Sequence, residues 1–248
     1  MSVTPYVTLS CAISLDGYLD TASPPRLTLS NDADFDRVDE VRARSDAILI
    51  GARTVRRDNP RLLVRSVARQ GLRETEGLAR SPWKVTVTAT GDLDLNAAFF
   101  TAGDTTKLVY CPALIAESLR RRLGCAAVVV GLGGDVTMTD LVADLGDRGI
   151  GELMVEGGAM IHTQFLAANL VDELHLSMAP FFVGNAGGAR FVGDAAFPWN
   201  SDRRASLAEV RQIGDMVLMR YALSGRCAEH DTEAQHRAMT APLTVGMR

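Results

Sequence analysis

The stretch Leu153-Met154-Val155-Glu156-Gly157-Gly158-Ala159-Met160-Ile161 decides the fold. Its apolar start predicts a buried strand, and the two glycines predict a turn that leads directly into a helix. A helix reached through glycines exposes free N–H groups and the positive end of the helix dipole, which together bind phosphate. Because a carboxylate repels phosphate, Glu156 is expected to face a ligand that donates hydrogen bonds. The segment therefore predicts a phosphorylated cofactor beside a polar substrate.

Strands alternate with helices until the end of the chain, where strands follow one another. Residues 47–50 form a continuous apolar run typical of a buried strand, and residues 207–213 and 216–223 predict a hairpin. This order predicts an α/β fold with a mainly parallel sheet and antiparallel strands at one edge. We expect one domain over residues 5–224 and a poorly ordered tail at 225–248.

Polar segments define the helix starts and loops. Ser30-Asn31-Asp32 offers helix N-caps before an apolar stripe of Phe35, Val38 and Val41, which predicts an amphipathic helix. Residues 66–81 are polar and rich in Arg and Gly, and they predict an excursion over the surface.

The composition excludes several classes of protein. The chain has 248 residues, 47% of them hydrophobic, and a net charge of −4, which fits a globular protein and argues against nucleic acid as a partner. No apolar run is long enough to span a bilayer, and no signal peptide is apparent, so we expect a cytoplasmic protein. The four cysteines are widely spaced, which predicts buried free thiols and no metal site.

A second junction resembles the first. Gly51 ends the strand at 47–50, and Thr54 then offers a hydroxyl at a helix start, where it either caps the helix or binds a phosphate oxygen. Two such junctions suit a dinucleotide, although a plain N-cap is the more common role of a threonine at such a position. Residues 130–134 also follow a strand, and Gly131 lies in this glycine-rich loop, which lacks the third glycine of a dinucleotide fingerprint. We expect this loop to pass near the cofactor.

Arginines near residue 60 predict a clamp for a phosphate monoester, because guanidinium is planar, permanently charged and bidentate. Arg42 and Arg65 border apolar segments that should hold them in place. Four further arginines are expected to be solvated at the surface: Arg56, Arg57, Arg69 and Arg73. His162 is expected to lie on the surface of its helix. No Ser/His/Asp or Cys/His arrangement, P-loop or deaminase zinc signature is present, so a cofactor is expected to carry the chemistry.

At these residues the chain resembles the reductase domain of the bifunctional riboflavin-biosynthesis deaminase/reductase and the stand-alone pyrimidine reductases related to it. The matching pieces keep their order from about residue 5 to 223. They are Ser14-Leu15-Asp16-Gly17, residues 42–49, Thr54-Val55, residues 58–65, residues 155–158, residues 170–174 and Ala179-Pro180.

The resemblance implies a dihydrofolate-reductase-like three-layer sandwich that uses NADPH. It implies substrate contacts at Arg42, Leu62, Arg65 and Glu156. The cofactor contacts are expected at Ala12, Thr54, Asp58, Gly157, Gly158, Ala159, Met160 and Ile161, with Thr88, Thr90 and Gly131 as candidates near the adenosine 2′-phosphate. The implied reaction transfers hydride from the nicotinamide to ribose C1′ of 5-amino-6-(5-phosphoribosylamino)uracil, or the related diaminopyrimidine, which yields the ribitylamino compound. Glu156, Asp58 or a water would supply the proton, and a homodimer is expected.

Two alternatives remain open at this point. Dihydrofolate reductases share the Gly-x-x-Thr junction and the late glycine pair, but they have no substrate phosphate to clamp. The second alternative is an NADPH-binding protein that has lost turnover. This alternative is motivated by the segment 20–29, which lacks the substrate serine and the aromatic residue that the family usually places there.

Overall fold

A mainly parallel nine-stranded sheet forms the centre of the computed structural model, which describes residues 4–23, 25–184 and 187–232. The strands are β1 (Tyr6–Ser14), β2 (Tyr18–Asp20), β3 (Ala47–Gly51), β4 (Trp83–Val87), β5 (Lys107–Pro112), β6 (Val128–Leu132), β7 (Glu152–Gly157), β8 (Glu173–Ala179), β9 (Ala189–Arg190), β10 (Ser206–Ile213) and β11 (Met216–Ala222). The helices are α1 (Asp32–Arg44), α2 (Ala52–Asp58), α3 (Val67–Thr75), α4 (Ala98–Thr101), α5 (Ala113–Leu123), α6 (Met138–Asp147) and α7 (Ala159–Ala167), and a 3-10 turn spans Gly124–Ala126.

The order of strands in the sheet is β10-β11-β8-β1-β7-β3-β4-β5-β6, and β2 and β9 form a separate two-stranded sheet. The seven strands from β8 to β6 pair in parallel, and β11 and β10 add an antiparallel hairpin at one edge. The predicted fold class and edge hairpin are therefore confirmed. Parallel strands need both faces covered, which explains why β3 is buried along its whole length.

Alternate residues of β3 enter different cores. Leu49 packs in the core that contains Leu141, while Ile48 packs in the core that contains Phe99. Because successive side chains on a strand point to opposite faces, the sheet separates two apolar layers, each covered by helices. This is the predicted three-layer arrangement.

The start of α1 forms as its sequence predicts. The Asn31 side chain accepts a hydrogen bond from the Asp34 amide at 2.9 Å, and acidic residues occupy the first turn while Arg42 and Arg44 occupy the last. The α2 helix begins at Ala52, two residues before the predicted start at Thr54.

The segment 66–81 lies largely exposed at the surface, as predicted, but it contains the helix α3, which the sequence did not predict. Ser66 caps this helix by accepting a hydrogen bond from the Arg69 amide. Arg73 is 4% exposed rather than solvated, and it donates to the carbonyl oxygens of Ala43, Ser45 and Ala79. The residue of α3 that is buried is this arginine rather than a hydrophobic side chain.

The predicted tail needs a correction at its start. Residues 226–232 are helical, Cys227 is buried, and the ring of His230 stacks on Tyr6 at 3.9 Å. The rest of the predicted tail, 233–248, lies outside the described residues. Of the four cysteines predicted to be buried, Cys125 is exposed. Within the described ranges, no helix combines the length and hydropathy needed to cross a membrane.

Candidate active site

A cavity of about 1220 Å³ opens at the carboxyl ends of β1, β7, β3, β4 and β5. It brings together most of the residues that the sequence predicted for the site. Those that line it are Ala12, Arg42, Thr54, Asp58, Leu62, Arg65, Thr88, Thr90, Glu156, Gly158, Ala159, Met160 and Ile161. The carboxyl ends of parallel strands are where open α/β sheets place their ligands.

Two predicted glycines do not line the cavity, and each has a packing role instead. A Cβ on Gly131 would lie 2.8 Å from Ala116 Cβ, so glycine lets α5 approach β6 closely. Gly157 has a φ of +109°, and a Cβ there would lie 2.3 Å from His162 Nε2. Gly131 and Gly157 thus lie outside the cavity lining, and their contact with the cofactor stays a prediction.

The two strand-to-helix junctions meet at the cavity wall. The Gly158 amide donates to Thr54 Oγ1 at 3.3 Å, which joins the start of α7 to α2. Gly158 is the N-cap of α7 without a side-chain cap bond, and no acidic residue occupies the first turn of this helix. Its first N–H groups and dipole suit an anionic group of a ligand.

Arg42 and Glu156 form a bidentate ion pair inside the cavity. Arg42 Nε lies 2.6 Å from Glu156 Oε1, and Arg42 Nη2 lies 2.7 Å from Glu156 Oε2. Arg42 Nη1 also donates to the Leu63 carbonyl oxygen at 3.1 Å. Burial opposes the charge of Arg42, but Glu156 outweighs burial and raises the pKa of the guanidinium. Three nitrogen atoms of Arg42 are thus engaged within the protein.

Among the described residues, none forms an ion pair with the Arg65 guanidinium, which is therefore available to a ligand. The guanidinium is exposed and lies 5.1 Å from the centre of the Phe35 ring, and it lines the cavity. Asp39, which is buried, accepts hydrogen bonds from the backbone amides of Arg65 and Ser66. Asp39 is not among the residues predicted from the sequence, where its only signal is its position on the inward side of α1.

Ion pairs join α2 to Asp20 and Arg26, two residues of the segment that is expected to depart from the family pattern. Arg26 Nε lies 3.6 Å from Asp58 Oδ2, and Arg57 Nη2 lies 2.8 Å from Asp20 Oδ2. Burial raises the pKa of Asp58; Asp20 adds to the rise, while Arg26 and Arg57 oppose it. Arg57 is exposed, as predicted, and it also forms an ion pair with Asp20.

His162 is buried rather than on the helix surface, with 1% of its area exposed. Its Nδ1 lies 3.2 Å from the Phe191 carbonyl oxygen, which can only accept, so Nδ1 carries the proton. Within the described part of the chain, Nε2 has no hydrogen-bond partner. Burial lowers the pKa of His162 to about 4, so the ring is neutral near pH 7. Sequence periodicity could not show this, because the loop that carries Phe191 covers the helix.

Fold and cavity together define an α/β domain with a ligand-sized crevice at the carboxyl ends of its parallel strands. The chain belongs to the RibD C-terminal domain family, which matches residues 5–219. It is 30% identical over 212 residues to the 2,5-diamino-6-ribosylamino-4(3H)-pyrimidinone 5′-phosphate reductase of Archaeoglobus fulgidus, covering 85% of this chain and 94% of the relative. It is 32% identical to the protein of the same name from Methanothermobacter thermautotrophicus, covering 89% of this chain and 99% of the relative.

Among solved structures, Acinetobacter baumannii RibD superposes with a TM-score of 0.72 at 26% identity. The match covers 88% of this chain and 58% of the Acinetobacter chain, so this chain corresponds to little more than half of that protein. The fold resemblance predicted from the sequence is thereby confirmed.

Proposed function

We propose that this protein is an NADPH-dependent oxidoreductase of riboflavin synthesis that reduces a phosphorylated ribosylaminopyrimidine to its ribitylamino product. The observation that carries the proposal is that one cavity joins the anion-binding start of α7 to the Arg42–Glu156 pair. The names of the relatives from Archaeoglobus and Methanothermobacter support the diaminopyrimidinone as substrate, with the deaminated uracil form as the second compound to test.

The site fits a dinucleotide together with a substrate. A cavity of about 1220 Å³ exceeds the space that one drug-sized ligand occupies, about 300–1,000 Å³. Thr54, Gly158, Ala159, Met160 and Ile161 would hold the phosphates, and Ala12 would lie beside the nicotinamide. Thr88 and Thr90 would lie near the adenosine. Bound there, the cofactor supplies a hydride.

The chain's own residues orient the substrate and manage its proton. The reaction adds a hydride to ribose C1′ of the ring-opened imine and a proton to the neighbouring nitrogen. Each oxygen of Glu156 accepts one hydrogen bond from Arg42 and keeps a second acceptor position for a substrate N–H. Leu62 supplies apolar contact in this wall. Arg42 lines the substrate end and holds Glu156, whereas Arg65 binds the substrate phosphate.

Asp58 and Glu156 are the two proposed catalytic carboxylates. Because burial raises the pKa of Asp58, its carboxyl exchanges a proton closer to neutral pH than an ordinary aspartate does, which suits a proton donor. The proposed working form is a homodimer built on the domain at 5–224.

The test follows NADPH oxidation at 340 nm with both pyrimidine phosphates, using wild type and Arg65→Ala. A charge-assisted contact to phosphate contributes about 1.5–3 kcal/mol, so Arg65→Ala should raise KM by about 10- to 100-fold with little change in kcat. Arg80→Ala is the matched control, because Arg80 is an exposed arginine outside the cavity wall. If NADPH raises the Tm but neither pyrimidine is reduced, the substrate assignment is wrong, and dihydrofolate is the next compound.

A further inference from the structure

One buried carboxylate fixes the backbone next to Arg26 at the cavity wall. Asp20 is 7% exposed, and its Oδ1 accepts hydrogen bonds from the backbone amides of Thr21 at 2.7 Å and Leu27 at 2.9 Å. Its Oδ2 lies 2.8 Å from Nη2 of Arg57 on α2. The residue that follows Arg26 is therefore tied to the end of β2 and, through Asp20, to α2.

The guanidinium of Arg26 is held much less firmly than the backbone beside it. Arg26 lines the cavity, and 61% of its side chain is exposed. Within the described part of the chain, its one ion-pair partner is Asp58, at 3.6 Å from Nε to Oδ2, and no atom accepts a hydrogen bond from its guanidinium. An exposed ion pair of this kind contributes little to stability, so Arg26 can exchange its partner at little cost.

A phosphate is a stronger partner for this guanidinium than the Asp58 carboxylate. The guanidinium fork matches two phosphate oxygens, and a phosphate monoester carries more negative charge near pH 7 than a carboxylate does. Both ligands of the proposed reaction carry phosphate, and the cavity that Arg26 lines has room for both. Because Asp20 already orders the neighbouring backbone, binding has to order only the side chain.

We infer that Arg26 leaves Asp58 when a ligand binds and donates hydrogen bonds to a phosphate group of that ligand. The inference rests on the proposed function for the identity of the ligand. The phosphate belongs to the substrate or to the cofactor, and the experiment separates the two. Arg26 lies within 20–29, the segment that is expected to depart from the family pattern, and it gives this segment a role in binding.

The exchange of partners also changes the state of Asp58. Burial raises the pKa of its carboxyl, the charges of Arg26 and Arg57 lower it, and the charge of Asp20 raises it. Loss of Arg26 to a ligand phosphate raises the pKa of Asp58 further, so the protein takes up a fraction of a proton as the ligand binds. Binding thereby protonates the carboxyl that is proposed to donate a proton.

The test measures, by calorimetry, the binding of NADP⁺ and then, at saturating NADP⁺, of the diaminopyrimidinone phosphate and its dephosphorylated form. Each titration is run in two buffers of different ionisation enthalpy, which gives the number of protons taken up. Arg26→Ala should weaken the binding of one phosphorylated ligand by about tenfold and lower the proton uptake that accompanies it. The dephosphorylated form should bind within about twofold of wild type. Arg26→Lys keeps the charge without the fork and should recover part of the affinity.

Arg80→Ala is the matched control, because Arg80 is also an exposed arginine paired with a carboxylate, that of Glu74, and lies outside the cavity wall. It should change neither affinity nor proton uptake. A loss confined to the diaminopyrimidinone phosphate assigns Arg26 to the substrate phosphate, and a loss for NADP⁺ assigns it to a cofactor phosphate. Unchanged affinities in Arg26→Ala, an equal loss for the dephosphorylated form, or a loss of affinity with unchanged proton uptake would each overturn the inference.

The outcomes separate this inference from the proposed function. A wild type that binds these ligands without reducing the pyrimidine overturns the proposed function, while Arg26 is still judged by binding. A wild type that reduces the pyrimidine, with Arg26→Ala unchanged in affinity and proton uptake, overturns the inference alone. A wild type that binds neither NADP⁺ nor the pyrimidine phosphate overturns both.

Discussion

Two hydrogen bonds of 2.6 and 2.7 Å join Arg42 to Glu156, although the two residues are 114 positions apart in sequence. Arg42 lies in the last turn of α1, and Glu156 lies near the end of β7. Each side chain was predicted to meet the substrate alone. Because the guanidinium fork matches both carboxylate oxygens, the two act as a unit that fixes the direction of the Glu156 oxygens. Under the proposed function, this arrangement leaves Arg65 to bind the substrate phosphate.

Arg42→Ala should lower the free energy of unfolding by about 2–4 kcal/mol, because it leaves Glu156 as an unpaired, largely buried carboxylate. The side chains of this pair are 12% and 14% exposed. Arg44→Ala is the control: its pair with Glu40 is 69% and 43% exposed, and its loss should cost less than about 0.5 kcal/mol. Urea unfolding of both variants measures the difference. Equal losses would contradict the idea that the Arg42–Glu156 pair is held in a desolvated site.

Gly157→Ala should destabilise the fold by about 2–4 kcal/mol, since its φ of +109° disfavours a side chain and the new Cβ would lie 2.3 Å from His162 Nε2. Gly71→Ala provides the contrast. Gly71 lies inside α3 with nothing within 4 Å of a new Cβ, so alanine should stabilise the protein by about 0.5–1 kcal/mol. In both thermal and urea unfolding, the midpoint of Gly157→Ala should fall below that of wild type and the midpoint of Gly71→Ala should rise above it. A neutral Gly157→Ala would show that His162 can move away.

The buried His162 predicts a loss of stability in mild acid. Its pKa is lowered from an ordinary 6.5 to about 4 by burial, so the unfolded chain takes up a proton in this window and the folded protein does not. The free energy of unfolding should therefore fall by about 3 kcal/mol from this group as the pH drops from 6.5 through 4.

The difference between wild type and His162→Gln isolates this contribution, because His175, His230 and Glu173 titrate in both proteins. Urea unfolding at pH 7 and pH 4.5 should show a steeper loss in wild type. Parallel losses would mean that His162 is protonated or solvated in the folded protein.

The two lysines of the chain should differ sharply in reactivity. Lys84 is fully buried, and its Nζ contacts the carbonyl oxygens of Phe99 at 3.2 Å and Ala102 at 2.5 Å. Lys107 is partly exposed. A brief treatment with an amine-acylating reagent at pH 8, followed by mass spectrometry of peptides, should label Lys107 and leave Lys84 unmodified until urea is added. Burial lowers the pKa of Lys84 to about 8, which would favour acylation of this amine if the reagent could reach it. Labelling of Lys84 in the native protein would therefore contradict its burial.

Local patterns were enough for the framework. The apolar run at 47–50, the Asn31 cap and the stretch at 153–161 specify strands and helices through interactions within a few residues, and each formed as predicted. The alternation of these elements then limits the sheet to a mainly parallel arrangement with its crevice at the carboxyl ends. Most predicted site residues reached one cavity for this reason.

Packing between distant segments decided the rest. Four features depend on contacts between residues that are far apart in sequence. They are the ion pairs Arg42–Glu156 and Arg26–Asp58, the burial of Arg73 and the enclosure of His162. A sequence shows that an arginine or histidine is present, but its charge partner and its access to water are set by which segments meet in space. The sequence by itself therefore determined the strands, the helices and the place of the site, because hydrogen bonding and burial along the chain are periodic. Only the tertiary structure decided which of the predicted side chains are engaged with one another and which remain free for a ligand, because electrostatic pairing and desolvation depend on distance in space rather than along the chain.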